Sequence, residues 1–324
     1  MLRHRRSEGA TSRGDMRHEM TITKLTGLIA APHTPMKPDG SVNLDAIDRQ
    51  ADLLSAAGLR GVFVCGTTGE GVSLTAEERM AVAERWVAVA PRQLAVIVQV
   101  GGEPLAQCRA LAAHAQKIAP HAIGAMPPCF FKPARLEDLV AFCGEIASAA
   151  PGLPFYYYHI PSLTGVDFAV LDFLRAGGTK IATLAGAKFT YENLMDYGRC
   201  LALDGGRYNM LFGRDEILLS ALVLGARGAV GTTYNYAAPL YHRLIAAFEK
   251  GDLAEARAWQ LRSVEMIDAM IRHGGVPAGK AMMKLIGLDC GPCRLPLRTL
   301  SDEQCRSLRN DLERVGFFEF CLKA

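Results

Sequence analysis

The sequence predicts a (β/α)8 barrel of the α/β class, followed by a C-terminal helical extension. Three observations carry this. Eight short apolar or β-branched runs recur at intervals of roughly thirty residues, each followed by turn residues and then a helical stretch. The runs are rich in Gly, Ala and β-branched residues without polar alternation, as expected of parallel strands covered on both faces. Beyond residue 250 the repeat stops and the pattern becomes helical only. A doubly wound sheet is the fallback. The expected division is a tail over 1–22, the barrel over 23–250 and the extension over 251–324.

The opening MLRHRRSEGATSRGDMRHEM has no apolar core of the kind a secretory signal needs. It is rich in Arg but also carries Glu8, Asp15 and Glu19. It is expected to be a disordered tail or an upstream start, with Met16 and Met20 as alternative starts. The first strand lies in GLIAAPHTP (27–35). Leu44, Ile47, Ala51 and Leu54 then step by three and four, the period of a buried helical stripe. The second strand lies in GVFVCGTTGE (61–70). Thr75 and Glu78 make a capping box that opens the helix carrying Met80 and Val82. The third and fourth strands lie in LAVIVQVGG (94–102) and AIGAMPP (122–128). Leu136, Leu139, Phe142 and Ile146 form the next stripe. The remaining strands lie in PFYYYHIP (154–161), IATLAGAKFT (181–190), NMLFGRDE (209–216) and RGAVGTTYN (227–235).

The extension begins with a long helix over 252–272, with Leu253, Ala256, Leu261, Val264, Ile267 and Ile271 among its apolar residues. Two more helical segments are expected near 279–285 and 301–314. No Pro/Gly/Ser-rich linker separates them from the barrel, so the extension is expected to pack on it.

Composition narrows the function. The formal charge is +3, of which the first twenty residues supply +2, and no long basic face suggests a nucleic-acid partner. No apolar run approaches the roughly 18 residues of a membrane span. Nine cysteines scattered through a chain of this size suggest reduced thiols in a cytoplasm rather than a disulfide framework.

Barrels gather reactive groups at the C-terminal ends of their strands. Thr67 and Thr68 fall at the end of the second strand, Tyr158 at the fifth and Lys188 at the sixth. Asp215 and Glu216 fall at the seventh, and Thr232 and Thr233 at the eighth. Their convergence is the argument. In LAGAKFT, Lys188 sits among small and apolar residues. Taken alone, that suggests a lysine paired with a carboxylate or snorkelling to the rim. In an enclosed apolar mouth it is instead a candidate amine nucleophile, forming a Schiff base with a ketone.

Tyr158 could relay protons as general acid and base, or belong to an aromatic core with Tyr156 and Tyr157. Parity puts Tyr156 and Tyr158 on one face and does not choose between them. GTTGEG (66–71) offers hydroxyls and backbone amides that could hold a carboxylate, or simply a tight turn. It lacks the lysine of a P-loop and the glycine spacing of a dinucleotide site. Asp215 and Glu216 could accept from substrate hydroxyls or merely open a helix. His159 has no second His or Cys at ligand spacing and reads as a structural hydrogen-bonder. CGPC (290–293) suggests redox chemistry, but it follows a helix and has no second pair for zinc. Lys24, Lys132 and Lys284 read as ordinary solvated lysines.

GTTGEG, FYYYHIPSLTGV, LFGRDEILLSALVLGARGAVGTTYNY and the late RLPL together make a specific resemblance. From about Leu25 onward the chain resembles the pyruvate-dependent class I aldolases of the dihydrodipicolinate synthase and N-acetylneuraminate lyase family. The resemblance implies a barrel, usually tetrameric, with no metal or organic cofactor. It implies that Lys188 forms the Schiff base and Tyr158 is the proton relay. Thr67 and Thr68 would hold the pyruvyl carboxylate, with the Thr68 hydroxyl also near the relay. Thr190, Gly213, Asp215, Glu216, Gly231 and Thr232 would line the sugar side.

Two departures separate the chain from the synthase branch. Leu163 stands where that branch has an Arg holding a second carboxylate. Cys129-Phe130 stands where it has a Tyr pair relaying protons. Arg214, beside the acids, departs from the lyases, which carry Tyr or an apolar residue there, and a cation next to Asp215 could favour a different hydroxylated or acidic 2-keto acid.

The expected reaction is reversible cleavage of N-acetylneuraminate to pyruvate and N-acetylmannosamine. The alternatives are an aldolase for another 2-keto-3-deoxy acid, a synthase-like condensation, a non-catalytic sensor of pyruvate or a sugar acid, and a thiol oxidoreductase using Cys290 and Cys293. The last predicts a depressed thiol pKa and an exposed helix start.

Overall fold

Eight parallel strands close on themselves in sequence order, with β1 (Gly27–Ala30) pairing both β2 (Gly61–Val64) and β8 (Gly228–Gly231) in the computed structural model of the chain. Between them run β3 (Ala95–Gln99), β4 (Ala122–Ala125), β5 (Phe155–His159), β6 (Leu184–Phe189) and β7 (Asn209–Phe212). The structure describes residues 23–324; the expected tail and the starts at Met16 and Met20 lie outside the described residues. Every strand falls inside its predicted run, and this is the expected (β/α)8 barrel. Most runs continue past their strand, because the chain turns out of the sheet there. Cys65, directly after β2, has φ +56° and cannot continue the ladder.

Helices cover the outside: α1 (Asp45–Ala56), α2 (Ala76–Val89), α3 (Leu105–Ile118), α4 (Leu136–Ser148), α5 (Pro161–Thr164), α6 (Val170–Gly177), α7 (Leu194–Ala202), α8 (Leu218–Val223) and α9 (Tyr234–Glu249). The α1 stripe buries Ile47, Ala51 and Leu54, as its period requires. The capping box is formed at α2: Glu78 N–H donates to Thr75 Oγ1 at 3.2 Å, and Thr75 N–H to Glu78 Oε2 at 2.9 Å.

Alternation along each strand divides the core. Phe63, Ile97, Tyr156, Tyr158, Leu211 and Val230 belong to the cluster inside the barrel, whereas Tyr157 packs outward on Phe173, ring centroids 4.3 Å apart. Depth then distinguishes the two inward tyrosines. Tyr156 donates to Asn209 Oδ1 at 2.8 Å, beside the backbone of Leu25 at the N-terminal end of the strands. Tyr158 lies two residues nearer the mouth and pairs in register with Lys188.

The extension is α10 (Leu253–Arg272), α11 (Val276–Leu285) and α12 (Asp302–Arg314). Asp252 is the N-cap of α10. Its buried face is not the full predicted stripe: Leu253, Leu261 and Ile271 are exposed, while Ala256, Ser263, Met266, Ile267 and Ala269 are buried. Small residues let α10 lie close on α9, and a hydrophobicity pattern does not register them. Ser301 caps α12 with a second box to Gln304. Among the described residues no helix is long and apolar enough to cross a membrane.

Candidate active site

A cavity of about 200 Å³ opens at the C-terminal end of the strands. It is lined by Thr67, Thr68, Tyr158, Lys188, Thr190, Gly213, Asp215, Glu216, Gly231 and Thr232, so the fold brings every sequence-predicted site residue to one place. A larger hollow, about 430 Å³, lies at the opposite end of the strands, around Lys24, Arg60 and Arg92. That face of a barrel serves stability rather than chemistry.

Lys188 is buried as the penultimate residue of β6. Its Nζ stands 4.3 Å from the ring centre of Phe63 and 4.1 Å from that of Tyr158. Among the described residues no carboxylate pairs with it, so the paired-lysine alternative finds no partner. The Tyr158 hydroxyl lies 3.2 Å from Thr67 Oγ1. This corrects the expectation that Thr68 is the hydroxyl beside the relay. Thr68 Oγ1 lies instead 2.6 Å from Thr232 Oγ1, because successive residues of the turn face opposite strands of the mouth.

The opposite wall is polar. Asp215 is fully buried, and its Oδ2 accepts from Thr233 N–H at 3.0 Å and Thr233 Oγ1 at 2.6 Å. Tyr241 and Ser263 extend this network into α9 and α10 through contacts of 2.6 and 2.9 Å. Asp215 Oδ1 and Thr190 Oγ1, both on the cavity wall, have no hydrogen-bond partner within the protein. Buried polar atoms are rarely left so, and the Tyr234 hydroxyl also lies against the Asp215 carboxyl. Gly231 has no side chain for a steric reason: a Cβ there would come within 1.9 Å of Asp215 Oδ1.

Burial raises the Asp215 carboxyl to about 6 from an ordinary 3.8. Between these values the native state holds a proton that the unfolded chain has released, so stability falls as pH rises through that window. Above pH 6 the buried charge costs about 3 kcal/mol. Thermal midpoints measured from pH 4 to 8 should therefore fall more steeply in the wild type than in Asp215→Asn; parallel curves would contradict the assignment.

Arg214 forms ion pairs with both Glu192 and Glu216, the latter at 3.2 Å. Its charge is thus spent on two carboxylates, one on the loop after β6 and one on the cavity wall. Sequence reasoning placed Thr233 at its strand end without a role, and it missed Glu192, Tyr241 and Ser263, since nothing in their spacing marks them. It also missed an apolar wall of Ile267, Met270, Ile271 and Val276 facing the acids. Two of these, Ile267 and Ile271, were read as helix stripe.

His159 is buried against Phe189 and Tyr191, 3.4 Å from the Tyr157 hydroxyl, and burial lowers it to about 4. It is outside the cavity, as the structural reading expected. Burial pushes the Cys290 thiol up to about 12 and Cys293 up to about 11, the opposite of what a redox pair requires. Cys290 accepts from Gln50 at 3.4 Å in a loop after α11, not at a helix start. Among the described residues no group of three His, Cys, Asp or Glu is placed to hold a metal.

Known proteins resemble this chain over nearly its whole length. The model of the dihydrodipicolinate synthetase family matches residues 24–315. The N-acetylneuraminate lyase of Rattus norvegicus is 43% identical over 302 residues, covering 92% of this chain and 94% of that protein. The solved N-acetylneuraminate lyase of Proteus mirabilis superposes with a TM-score of 0.89 at 43% identity, covering 91% of this chain and all of that one. A Ruminococcus gnavus structure described as a sialic acid aldolase catalytic lysine mutant superposes with a TM-score of 0.85 at 27% identity, covering 91% of this chain and 97% of its own.

Proposed function

The chain belongs to the dihydrodipicolinate synthetase family, and from that membership we propose that it is a class I aldolase reversibly cleaving N-acetylneuraminate to pyruvate and N-acetylmannosamine. The observation that carries this is Lys188: a buried, unpaired amine against two aromatic rings, with hydroxyls on one side and an acid pair on the other. Names and near-full coverage of the relatives support the substrate.

Thr67 and Thr68 hold the carboxylate of the keto acid. Lys188 Nζ attacks the ketone carbon, Tyr158 passes protons as the hydroxyl leaves as water, and an imine results. Tyr158 then takes the C4 hydroxyl proton, the C3–C4 bond breaks, and its electrons move into the imine. The aldehyde leaves, the enamine is protonated at C3, and water releases pyruvate. The imine is the electron sink, so this route calls on no metal or organic cofactor. Thr190, Gly213, Asp215, Glu216, Gly231 and Thr232 form the sugar side, where polar groups of the wall meet the sugar hydroxyls. Incubation with N-acetylneuraminate should release equimolar pyruvate and N-acetylmannosamine; release of neither would refute the assignment.

Arg214 does not favour a second acidic group on the substrate, because it is already paired twice. It orients Glu216 instead. Arg214→Leu should lower kcat/KM for N-acetylneuraminate about tenfold, the scale of one charge-assisted hydrogen bond, and leave imine formation with pyruvate unchanged. An equal loss in both would place Arg214 on the pyruvate side.

The working form is a homotetramer. Val72, Phe130, Phe131 and Leu163 are large, exposed and apolar on the connections that follow β2, β4 and β5, the composition of a covered surface. Light scattering should give four times the 35.0 kDa chain mass. The nine cysteines are all free, and a reducing cytoplasm is the compartment that suits them.

A further inference from the structure

The turn that carries Thr67 and Thr68 is strained and is held from outside as well as from within. Cys65 enters it at φ +56° and Glu70 leaves it at φ +55°, both in the left-handed region that favours glycine. Gly71 follows so tightly that a Cβ there would fall 1.9 Å from Cys65 O. Within the turn, Glu70 N–H donates to Thr67 O at 3.0 Å and Gly71 N–H to Gly66 O at 3.1 Å. Thr34 Oγ1 of the loop after β1 donates to Gly69 O at 2.6 Å, and further support comes from the opposite end of the sequence. Lys280 of α11 approaches Glu70 Oε1 at 2.7 Å, with both side chains essentially buried. Lys280 Nζ also donates to Pro292 O at 2.6 Å, and Arg294 N–H donates to Glu70 Oε2 at 2.8 Å. The Arg294 guanidinium then grips both Glu78 oxygens at 2.5 Å, together with the carbonyls of Gly40 and Ser73. The CGPC and RLPL segments are therefore parts of one clamp.

We propose that Lys280 is a positioning residue: its buried pair with Glu70 lets the C-terminal extension hold the strained turn that presents Thr67 and Thr68 to the keto-acid carboxylate. The proposal rests on the reading of that turn as the carboxylate site. A buried ion pair is weak evidence for stability, since a neutral pair of similar volume often serves the fold as well. The place of Lys280 at this turn, against Glu70 on one side and Pro292 O on the other, points to geometry. Lys280 and the barrel extension then belong to the working site although neither Lys280 nor Glu70 lines the cavity.

The test uses the full chain as Lys280→Met, Glu70→Gln, the double variant and Lys280→Arg. Each is titrated with pyruvate in a borohydride trap of Lys188, and its thermal midpoint is read in parallel. The single neutralising variants leave a buried unpaired group and should lose thermal stability. The double variant leaves no buried charge and should melt near the wild type. It should nevertheless need at least about tenfold more pyruvate for half-maximal labelling, as a misplaced carboxylate site predicts, with the limiting rate nearly unchanged. Lys280→Arg keeps the charge but not the fit of the ammonium between Glu70 and Pro292, and should show the same shift. Wild-type half-saturation in the folded double variant and in Lys280→Arg would overturn the proposal and leave the pair a fold-stabilising contact. Failure of the wild type itself to take up label would overturn the aldolase reading, and this proposal with it.

Discussion

Lys188→Ala should lose all measurable turnover, a fall of at least about 10⁴-fold, the scale on which a covalent nucleophile acts. The fold should survive. Lys188 has no ion-pair partner among the described residues, so its removal strands no charge, and its neighbours Phe63 and Tyr158 remain packed across the barrel at 5.2 Å. Circular dichroism and a thermal midpoint close to the wild type would establish that the loss is chemical. Lys188→Met, which fills the volume without an amine, should behave alike. Retained turnover in either folded variant would remove the Schiff base from the mechanism.

Tyr158→Phe should lower kcat by about 10²–10⁴-fold with a much smaller change in KM, the expected loss when a positioned general acid–base is removed. The ring keeps its place over Lys188, and the hydrogen bond lost among the described residues is the 3.2 Å contact with Thr67. Stability should therefore change by only about 1 kcal/mol. If kcat were unchanged, the relay would have to be sought elsewhere. Thr67→Val would then separate a role in the relay from one in holding the carboxylate.

The barrel was legible in the sequence because its signal is repeated. Each apolar run predicts one strand, and closure follows from the count and the alternation with helices. The site was legible for the same reason: reactive residues at five strand ends, including Lys188 and Tyr158, must converge once the barrel closes. Long-range partners were not legible. No local pattern links Glu192 to Arg214, Ser263 to Asp215 or Lys280 to Glu70, since each pair is made only when distant segments meet. Thr67 and Thr68 show a finer limit. Their positions were evident, but which hydroxyl faces Tyr158 depends on the turn at Cys65 and Glu70, whose left-handed conformations are not those their residue types prefer. The apolar wall of α10 failed differently. Ile267 and Ile271 were read only as apolar residues of a long helix and Met270 was not singled out; small residues pack on the other face, and Ile271 lines the mouth.

The central claim is that Lys188 forms a covalent imine with a fragment of the substrate. The direct measurement is borohydride reduction during turnover, with pyruvate and with N-acetylneuraminate in parallel, followed by mass mapping of the peptide that spans β6. A pyruvyl adduct on Lys188 from both reactions is the predicted result, because the sugar acid must be cleaved to leave that fragment. An adduct from pyruvate alone would contradict the assigned substrate, and no adduct from either would contradict the Schiff base itself.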